Sequence, residues 1–496
     1  MKTLGKIALA VLGLLMAAVW LVILRLKDVP PVALVTYGAV LVAFLGGVLW
    51  PGRLGRRRAL LFLGVPAGLG TLALYFAVVF YVTDAPVLLG AVAVACLLAA
   101  LAGGVRRGRG GAGPSRRALL TGGAGILLGA LAGLSTGPVA RHRSEIEARW
   151  RRETQAALRA PGGRRPVADG RVRVFPLHVG DTVVPYGQFY GGLDGWEGLP
   201  GYVRTLVDKA QITVPVHAYL IDHPRHGLML VDTGVNGAQA HDHDGYYRHN
   251  LASRLLTERN EYRLTPEQDL RVRVARLGYD LKDVTTVFLT HVHEDHAGGL
   301  RHLAHARVVL DRRDWEQGTL YAHTFEEVQD ALVFPAYGSG PFHAFPESHD
   351  HFGDGSVVLL PTPGHSPGHL CVALRMDGGT ALFLGDTLYT LPHLAVGQVR
   401  QMTVGGQATA DQLKAAERVR RTLAADPAMA PLFAHDNTAY QTEAVATAFR
   451  EGLPEADGFR RLRDHLGGVL TPDWRLRPGH APAFAPGEGV GRVEFR

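Results

Sequence analysis

Within six residues, His291-Val292-His293-Glu294-Asp295-His296 gathers three imidazoles and the carboxylate of Asp295, a combination that is costly unless a cation sits among them. Further along, His365 in Thr-Pro-Gly-His, Asp386 in Leu-Gly-Asp and His435 in Phe-Ala-His-Asp each follow a short apolar run that reads as a strand. Together these are five imidazoles and two carboxylates. That is more than one tetrahedral zinc ion can use, but it suits two metals bridged by a carboxylate. A lone histidine at a strand end is ordinarily a hydrogen-bonded structural residue. Seven metal-compatible side chains in this order call for a common explanation.

The pattern H-x-H-x-D-H, then His, then Asp, then His, resembles the ligand order of the metallo-β-lactamase fold. The resemblance implies an α/β protein, an αββα sandwich in which two sheets pack face to face and the ligands lie on loops at one edge. It implies that His291, His293 and His365 bind a first metal, that Asp295, His296 and His435 bind a second, and that Asp386 bridges them. An all-histidine first site points to two Zn2+ per chain, with Co, Mn or Fe as alternatives. Flavodiiron proteins resemble the same pattern but carry Glu where His293 stands here. Two metals about 3.5–4 Å apart share a water and lower its pKa towards ~7, which gives a nucleophile without a side-chain base. Such a centre hydrolyses esters, lactones, thioesters, β-lactams or phosphodiesters, so the ligands name a reaction class and leave the substrate open.

Asp386-Thr387-Leu388-Tyr389 places a phenol three residues after the bridging carboxylate. This resembles the N-acyl homoserine lactonases, in which a tyrosine at this spacing hydrogen-bonds the substrate carbonyl as the ring opens. Asp295 and Tyr389 are therefore the candidate catalytic residues. The resemblance extends over roughly residues 210 to 440, through Val214-Pro215-Val216, Leu230-Val231-Asp232-Thr233-Gly234, Gly278-Tyr279, Asp295-His296-Ala297-Gly298-Gly299 and Thr362-Pro363-Gly364-His365-Ser366-Pro367-Gly368-His369. Asp232 resembles the strand-end Asp that supports the metal loops. His217 and His369 read as structural. Glu294 stands where these lactonases often carry an aromatic of the acyl pocket, and a carboxylate there is expected to make the rim less apolar.

Composition divides the chain near residue 140. Five apolar segments precede that point: Ile7 to Leu24, Val32 to Trp50, Ala59 to Val82, Val87 to Val105 and the weaker Ala118 to Leu134. Each is long enough to cross a bilayer as a helix, so an all-α transmembrane region of about five helices is expected. Residues 1–150 carry a formal charge of +12 and residues 151–496 one of −5, so the overall +7 reflects membrane topology rather than a footprint for phosphates. The arginines cluster in alternate loops, at Arg53 to Arg58 and Arg106 to Arg117. By the positive-inside rule these loops face the cytoplasm, and a spanning fifth segment puts the hydrolase outside a bacterial-type cytoplasmic membrane. Ser115-Arg116-Arg117 with the segment after it also resembles a twin-arginine export signal. Arg141, Arg143, Arg149, Arg151 and Arg152 just beyond it pull against an exterior location.

The expected division is a transmembrane region at 1–140, a linker at 141–170, the hydrolase domain at 171–452 and a Pro/Gly-rich tail at 453–496. Runs at 213–221, 228–231, 286–289, 308–310, 357–360, 370–374 and 381–384 predict strands. Thr265-Pro266-Glu267-Gln268 predicts the start of a helix ending near Gly278, and a second helix is predicted from about Ala410 to Ala424. The segment 318–354, with Phe325, Phe334, Phe342 and Phe345, is a candidate wall or lid of the pocket. Two cysteines exclude a disulfide framework.

The expected function is a membrane-anchored dinuclear zinc hydrolase acting on a lactone of the N-acyl homoserine type. A broader hydrolase of thioesters, β-lactams or phosphodiesters is the alternative within the fold. A transport or sensing protein resembling DNA-uptake channels is the alternative outside it. Five segments make a thin channel, none of them carries Asp, Glu, Lys or Arg, and the soluble part is net acidic, all against that last reading. The expected partners are a small ester or lactone and membrane lipid, with no nucleic acid.

Overall fold

The computed structural model describes residues 139–159, 169–190, 211–247, 261–317, 324–397, 407–452, 457–466, 468–483 and 494–495. The chain divides into two compact units, residues 147–241 with 260–496, and residues 1–146 with 242–259. In the second of these, Asp242 caps the short helix His243–Tyr246 by accepting a hydrogen bond from Gly245 N. The candidate site lies wholly in the first. The five apolar segments and the twin-arginine motif fall outside the described residues. Among the described residues no helix is long and apolar enough to cross a membrane.

Seven strands form one sheet: β1 (Arg173–Pro185), β2 (Gln211–His223), β3 (Gly227–Val231), β4 (Tyr262–Arg263), β5 (Val284–Phe288), β6 (Arg307–Val309) and β7 (Leu332–Val333), in the order β4-β1-β2-β3-β5-β6-β7. Five form the other: β8 (His349–Asp350), β9 (Val357–Pro361), β10 (Leu370–Met376), β11 (Gly379–Phe383) and β12 (Met429–Leu432), in the order β12-β11-β10-β9-β8. Among the described residues, the helices that support the sheets and the loops between them include α1 (Val139–Arg159), α2 (Gly237–His241), α3 (Leu270–Arg276), α4 (Glu294–Ala297), α5 (Gln407–Ala425) and α6 (Gly458–Asp464).

Strand periodicity sorts the side chains of β2 between two cores. Tyr219 and Ile221 join Met229, Val231 and Phe288 in the layer between the sheets, against Leu359, Val372 and Phe383. Val216, Ala218 and Leu220 face the other way, onto Leu270 and Val274 of α3. Ala416, Val419 and Leu423 of α5 cover the second sheet, so the expected αββα arrangement is present. All seven predicted strands are found, each within a few residues of the expected bounds.

The differences have physical causes. At the predicted start of α3, Gln268 does reach back to Thr265 N at 2.9 Å, but this closes a turn. The helix begins four residues later, where Asp269 accepts from Arg271 N, and it ends before Gly278, whose φ is +82°. The stretch expected as a linker carries α1, and its Trp150 is buried against the domain. The expected tail is also part of the fold. Phe459 and Leu462 of α6, with Leu470 and Trp474, complete the core beneath the second sheet, and Arg463 Nη1 donates to Leu423 O at 3.1 Å. Of the aromatics in the candidate lid, Phe325 and Phe345 are buried in the two cores, and Phe334 lies under the Arg312 guanidinium.

Candidate metal centre

Four of the candidate ligands stand just past the C-terminal end of a strand. His291 follows β5, His365 follows β9, Asp386 follows β11 and His435 follows β12. Strand β11 is parallel to β12 and antiparallel to β10, which is antiparallel to β9, so three strand ends of the second sheet meet on one edge. The loop after β5 and α4 brings the remaining ligands to it from the first sheet.

Asp386 lies at the centre. Its Oδ2 is 3.2 Å from His365 Nε2 and 3.7 Å from His291 Nε2, while its Oδ1 is 3.2 Å from His435 Nε2 and 3.3 Å from His296 Nε2. His365 Nε2 is also 3.1 Å from His291 Nε2 and 2.9 Å from His293 Nδ1. On the other side, Asp295 Oδ2 is 3.5 Å from His435 Nε2 and 3.9 Å from His296 Nε2. The sets His291, His293, His365, Asp386 and Asp295, His296, His435 each place their ligand atoms within 4.8 Å of one another. The structure thus brings the seven side chains named from the sequence together in two groups, with one oxygen of Asp386 turned to each.

These residues fit divalent cations. His296 Nε2 and Asp386 Oδ1 are buried without a hydrogen-bond partner, a costly state that a cation between them would relieve. Burial, together with the imidazoles of His296, His293 and His365, pushes His291 well below its ordinary pKa and so into the neutral form that ligates metal. Burial opposes the charge on Asp386, but the imidazoles of His296, His435 and His365 prevail and hold its carboxyl well below the usual range.

Residues 212–445 match the model of the metallo-β-lactamase superfamily. This part of the chain is a metallo-β-lactamase superfamily domain. An N-acyl homoserine lactonase of Bacillus cereus is 27% identical over 191 residues, which are 38% of this chain and 69% of that protein. The N-acyl homoserine lactonase AttM of Agrobacterium fabrum is 28% identical over 196 residues, 37% of this chain and 69% of that protein. A solved N-acyl homoserine lactone hydrolase with N-hexanoyl-L-homoserine at its metal centre aligns over 54% of this chain and 93% of its own, with 20% identity and a TM-score of 0.38.

Around the ligands, the metallo-β-lactamase domain fixes tautomers. His296 Nδ1 is 2.8 Å from Asp232 Oδ2, and His435 Nδ1 is 2.9 Å from Pro215 O. Both partners only accept, so each ring carries its proton on Nδ1 and turns the Nε2 lone pair to the site. Asp232 also accepts from Thr290 N and Oγ1, and Thr290 Oγ1 lies 3.1 Å from His291 Nδ1. His369 is no ligand: its Nε2 accepts from Asp386 N at 2.9 Å, and burial lowers its pKa to about 3. His217 likewise stays off the metal set, with its Nδ1 on Ala434 O.

Several supports had no sequence signal. Buried Asp314 accepts from Val292 N, Ser366 Oγ and Gly368 N, tying the loop of His291 to the loop of His365, while burial lifts its pKa to about 6. A small aromatic cluster of Tyr186, Phe189, Tyr190, Ile212, Val214 and Tyr389 borders the second ligand set. The Phe189 ring lies 4.9 Å from Tyr389 and 6.2 Å from His435. Tyr389 is buried, with its hydroxyl 3.0 Å from His365 Nδ1. Glu294 is buried too and accepts from Gln239 Nε2 at 2.6 Å, so it does not form the less apolar rim expected from its position.

Proposed function

We propose that this metal-dependent hydrolase opens the ring of a small lactone of the N-acyl homoserine type with two zinc ions. The observation that carries the reading is Asp386, a single carboxylate with one oxygen facing His291 and His365 and the other facing His296 and His435. A carboxylate placed between two sets of imidazoles in this way could be shared by two cations. The lactone is supported by the likeness to N-acyl homoserine lactonases over more than two thirds of their length.

Bound divalent cations supply Lewis acidity towards a carbonyl and lower the pKa of a water between them. The protein does the rest. Hydrogen bonds from His296 Nδ1 to Asp232 and from His435 Nδ1 to Pro215 O hold these rings in orientation, so little reorganisation accompanies binding or reaction. Asp295, beside His435, offers a carboxylate oxygen that can take up the proton released during attack on the ester carbon. Tyr389 brings a phenol to His365, where it can donate to a carbonyl oxygen, and the cluster around Phe189 borders the site with apolar surface suited to an acyl group.

From the sequence pattern of residues 7–134, we further propose that the domain is tethered to a cytoplasmic membrane and faces outward. Cleavage of the domain by protease added to intact spheroplasts tests that placement, and full protection would refute it.

The test of the activity is base uptake at constant pH by the zinc-loaded protein given a long-chain N-acyl homoserine lactone. Turnover that Asp386→Asn lacks is the expected result. Turnover retained in that variant would refute the bridging role. No turnover with two ions bound per chain would remove the lactone and redirect the search to thioesters, β-lactams and phosphodiesters.

A further inference from the structure

One face of α1, formed by Glu147, Trp150 and Thr154, docks on the segments that carry the second metal set. The Trp150 ring stacks on His241 with centroids 4.2 Å apart and planes 24° from parallel, and its Nε1 donates to Asp269 Oδ2 at 2.5 Å. Gly237 is required beneath it, because a Cβ there would fall on the indole. The short helix α2 is therefore gripped at both of its ends.

From α2 the contacts run directly to the ligand loop. Gln239 donates to Glu294, the residue before Asp295. Asn236 and Gly234 pack so closely on Gly298 that no Cβ fits there, and Thr233 donates through both N and Oγ1 to His296 O at 2.7 Å. A second route leaves the same face of α1. Glu147 Oε1 lies 2.6 Å from Arg301 Nε, and the buried Arg301 donates to Gly298 O, the cap of α4, at 3.0 Å. A third joins Thr154 to Arg271 on α3, which also holds Asp269. All three routes start on residues outside the matched stretch 212–445.

We propose that this face of α1 positions the loop of Asp295 and His296, with Trp150 and Glu147 as positioning residues for the second metal. The inference rests on the dinuclear reading above. It adds that the second site is assembled only when α1 is docked, so the segment joining the apolar N-terminal region to the domain sets how firmly the second ion is held. The first set has anchors of its own, through Thr290, Asp314 and His369.

The test is a Co2+ titration of the metal-free full chain, read by visible absorbance and bound stoichiometry, with thermal melts alongside. Trp150→Ala is expected to weaken the second binding step about tenfold or more and leave the first unchanged, in line with lost outer-sphere support. Trp150→Phe keeps a ring over His241 and should fall between it and the wild type; Glu147→Gln should shift the same step less. Leu423→Ala, a core change in α5, serves as a control that lowers the melting temperature without separating the two steps. If Trp150→Ala does not fold, Trp150→Phe and Glu147→Gln carry the comparison. Two ions in the wild type with an unchanged second step in these variants would overturn the inference alone, as would equal shifts of both steps. A wild type that binds only one ion would overturn the dinuclear reading, and the inference with it.

Discussion

Asp232→Asn removes one charge at a position where the backbone should not object. Asp232 has φ +57°, a left-handed conformation that Asn adopts readily. The two carboxylate oxygens accept from Thr290 N at 2.8 Å, from Thr290 Oγ1 at 2.9 Å and from His296 Nδ1 at 2.8 Å. An amide offers a single acceptor and an NH2 donor. If its oxygen stays on Thr290 N, the NH2 faces His296 Nδ1, which must then accept. The ring proton moves to Nε2, the atom 3.3 Å from Asp386 Oδ1, and that atom can no longer ligate. If the amide turns over, Thr290 N–H loses its acceptor in a buried place, at a cost of about 1–3 kcal/mol. Either outcome should lower affinity for the second ion about 10- to 100-fold, which is about 1.4–2.8 kcal/mol. Calorimetric titration of the metal-free protein with Zn2+ resolves the two steps. Wild-type affinity in both, with an unchanged melting temperature, would refute the tautomer argument.

Tyr389→Phe deletes the hydrogen bond to His365 and the proposed donor to substrate; kcat/KM on the lactone should fall about tenfold, ~1.4 kcal/mol, while Co2+ affinity at the second site holds. An unchanged kcat/KM would leave the phenol a purely structural role. Gly298→Ala places a Cβ against Asn236 N and Gly234 O, so urea unfolding should show a loss of about 1–3 kcal/mol from overpacking. Asp269 gives a pH prediction. Burial resists its charge, but the Arg271 guanidinium holds its carboxyl below the ordinary 3.8. A depressed folded pKa contributes stability that is present above 3.8 and lost as pH falls through the folded value. Asp269→Asn should therefore flatten the stability curve below about pH 4, and equal slopes in denaturant unfolding between pH 5 and pH 2 would contradict this.

The cluster of His and Asp side chains was legible in the sequence because metal chemistry dictates residue type, and ordinary packing rarely puts His and Asp just after an apolar run. Strands such as β9 and β10 were legible because burial on both faces leaves unbroken runs like Val357-Val358-Leu359-Leu360. Strand β1 was not predicted: Pro176 and Gly180 interrupt it, and a bulge between His178 and Asp181 breaks its alternation. Trp150 sits among arginines and glutamates in a stretch that reads as solvated, and its acceptor Asp269 lies 119 residues away. The same holds for Asp314, which binds Ser366 and Gly368 across an interval no local pattern spans. In the C-terminal region, Phe459, Leu462 and Trp474 are separated by Arg, Gly and Pro, so their shared burial becomes visible only once the second sheet is in place.

The seven candidate ligands come from one strand end of the first sheet and three of the second, so ions held there would lie on the seam of the sandwich. A cation in that position behaves as a rivet. With a cation held there, the sheets could not part until several bonds to it had broken, and reaching that point would require loops far apart in sequence to let go together. Loading would then slow the opening of the fold beyond any effect on its equilibrium stability. Metal supply would decide how long each molecule lasts as well as how fast it works.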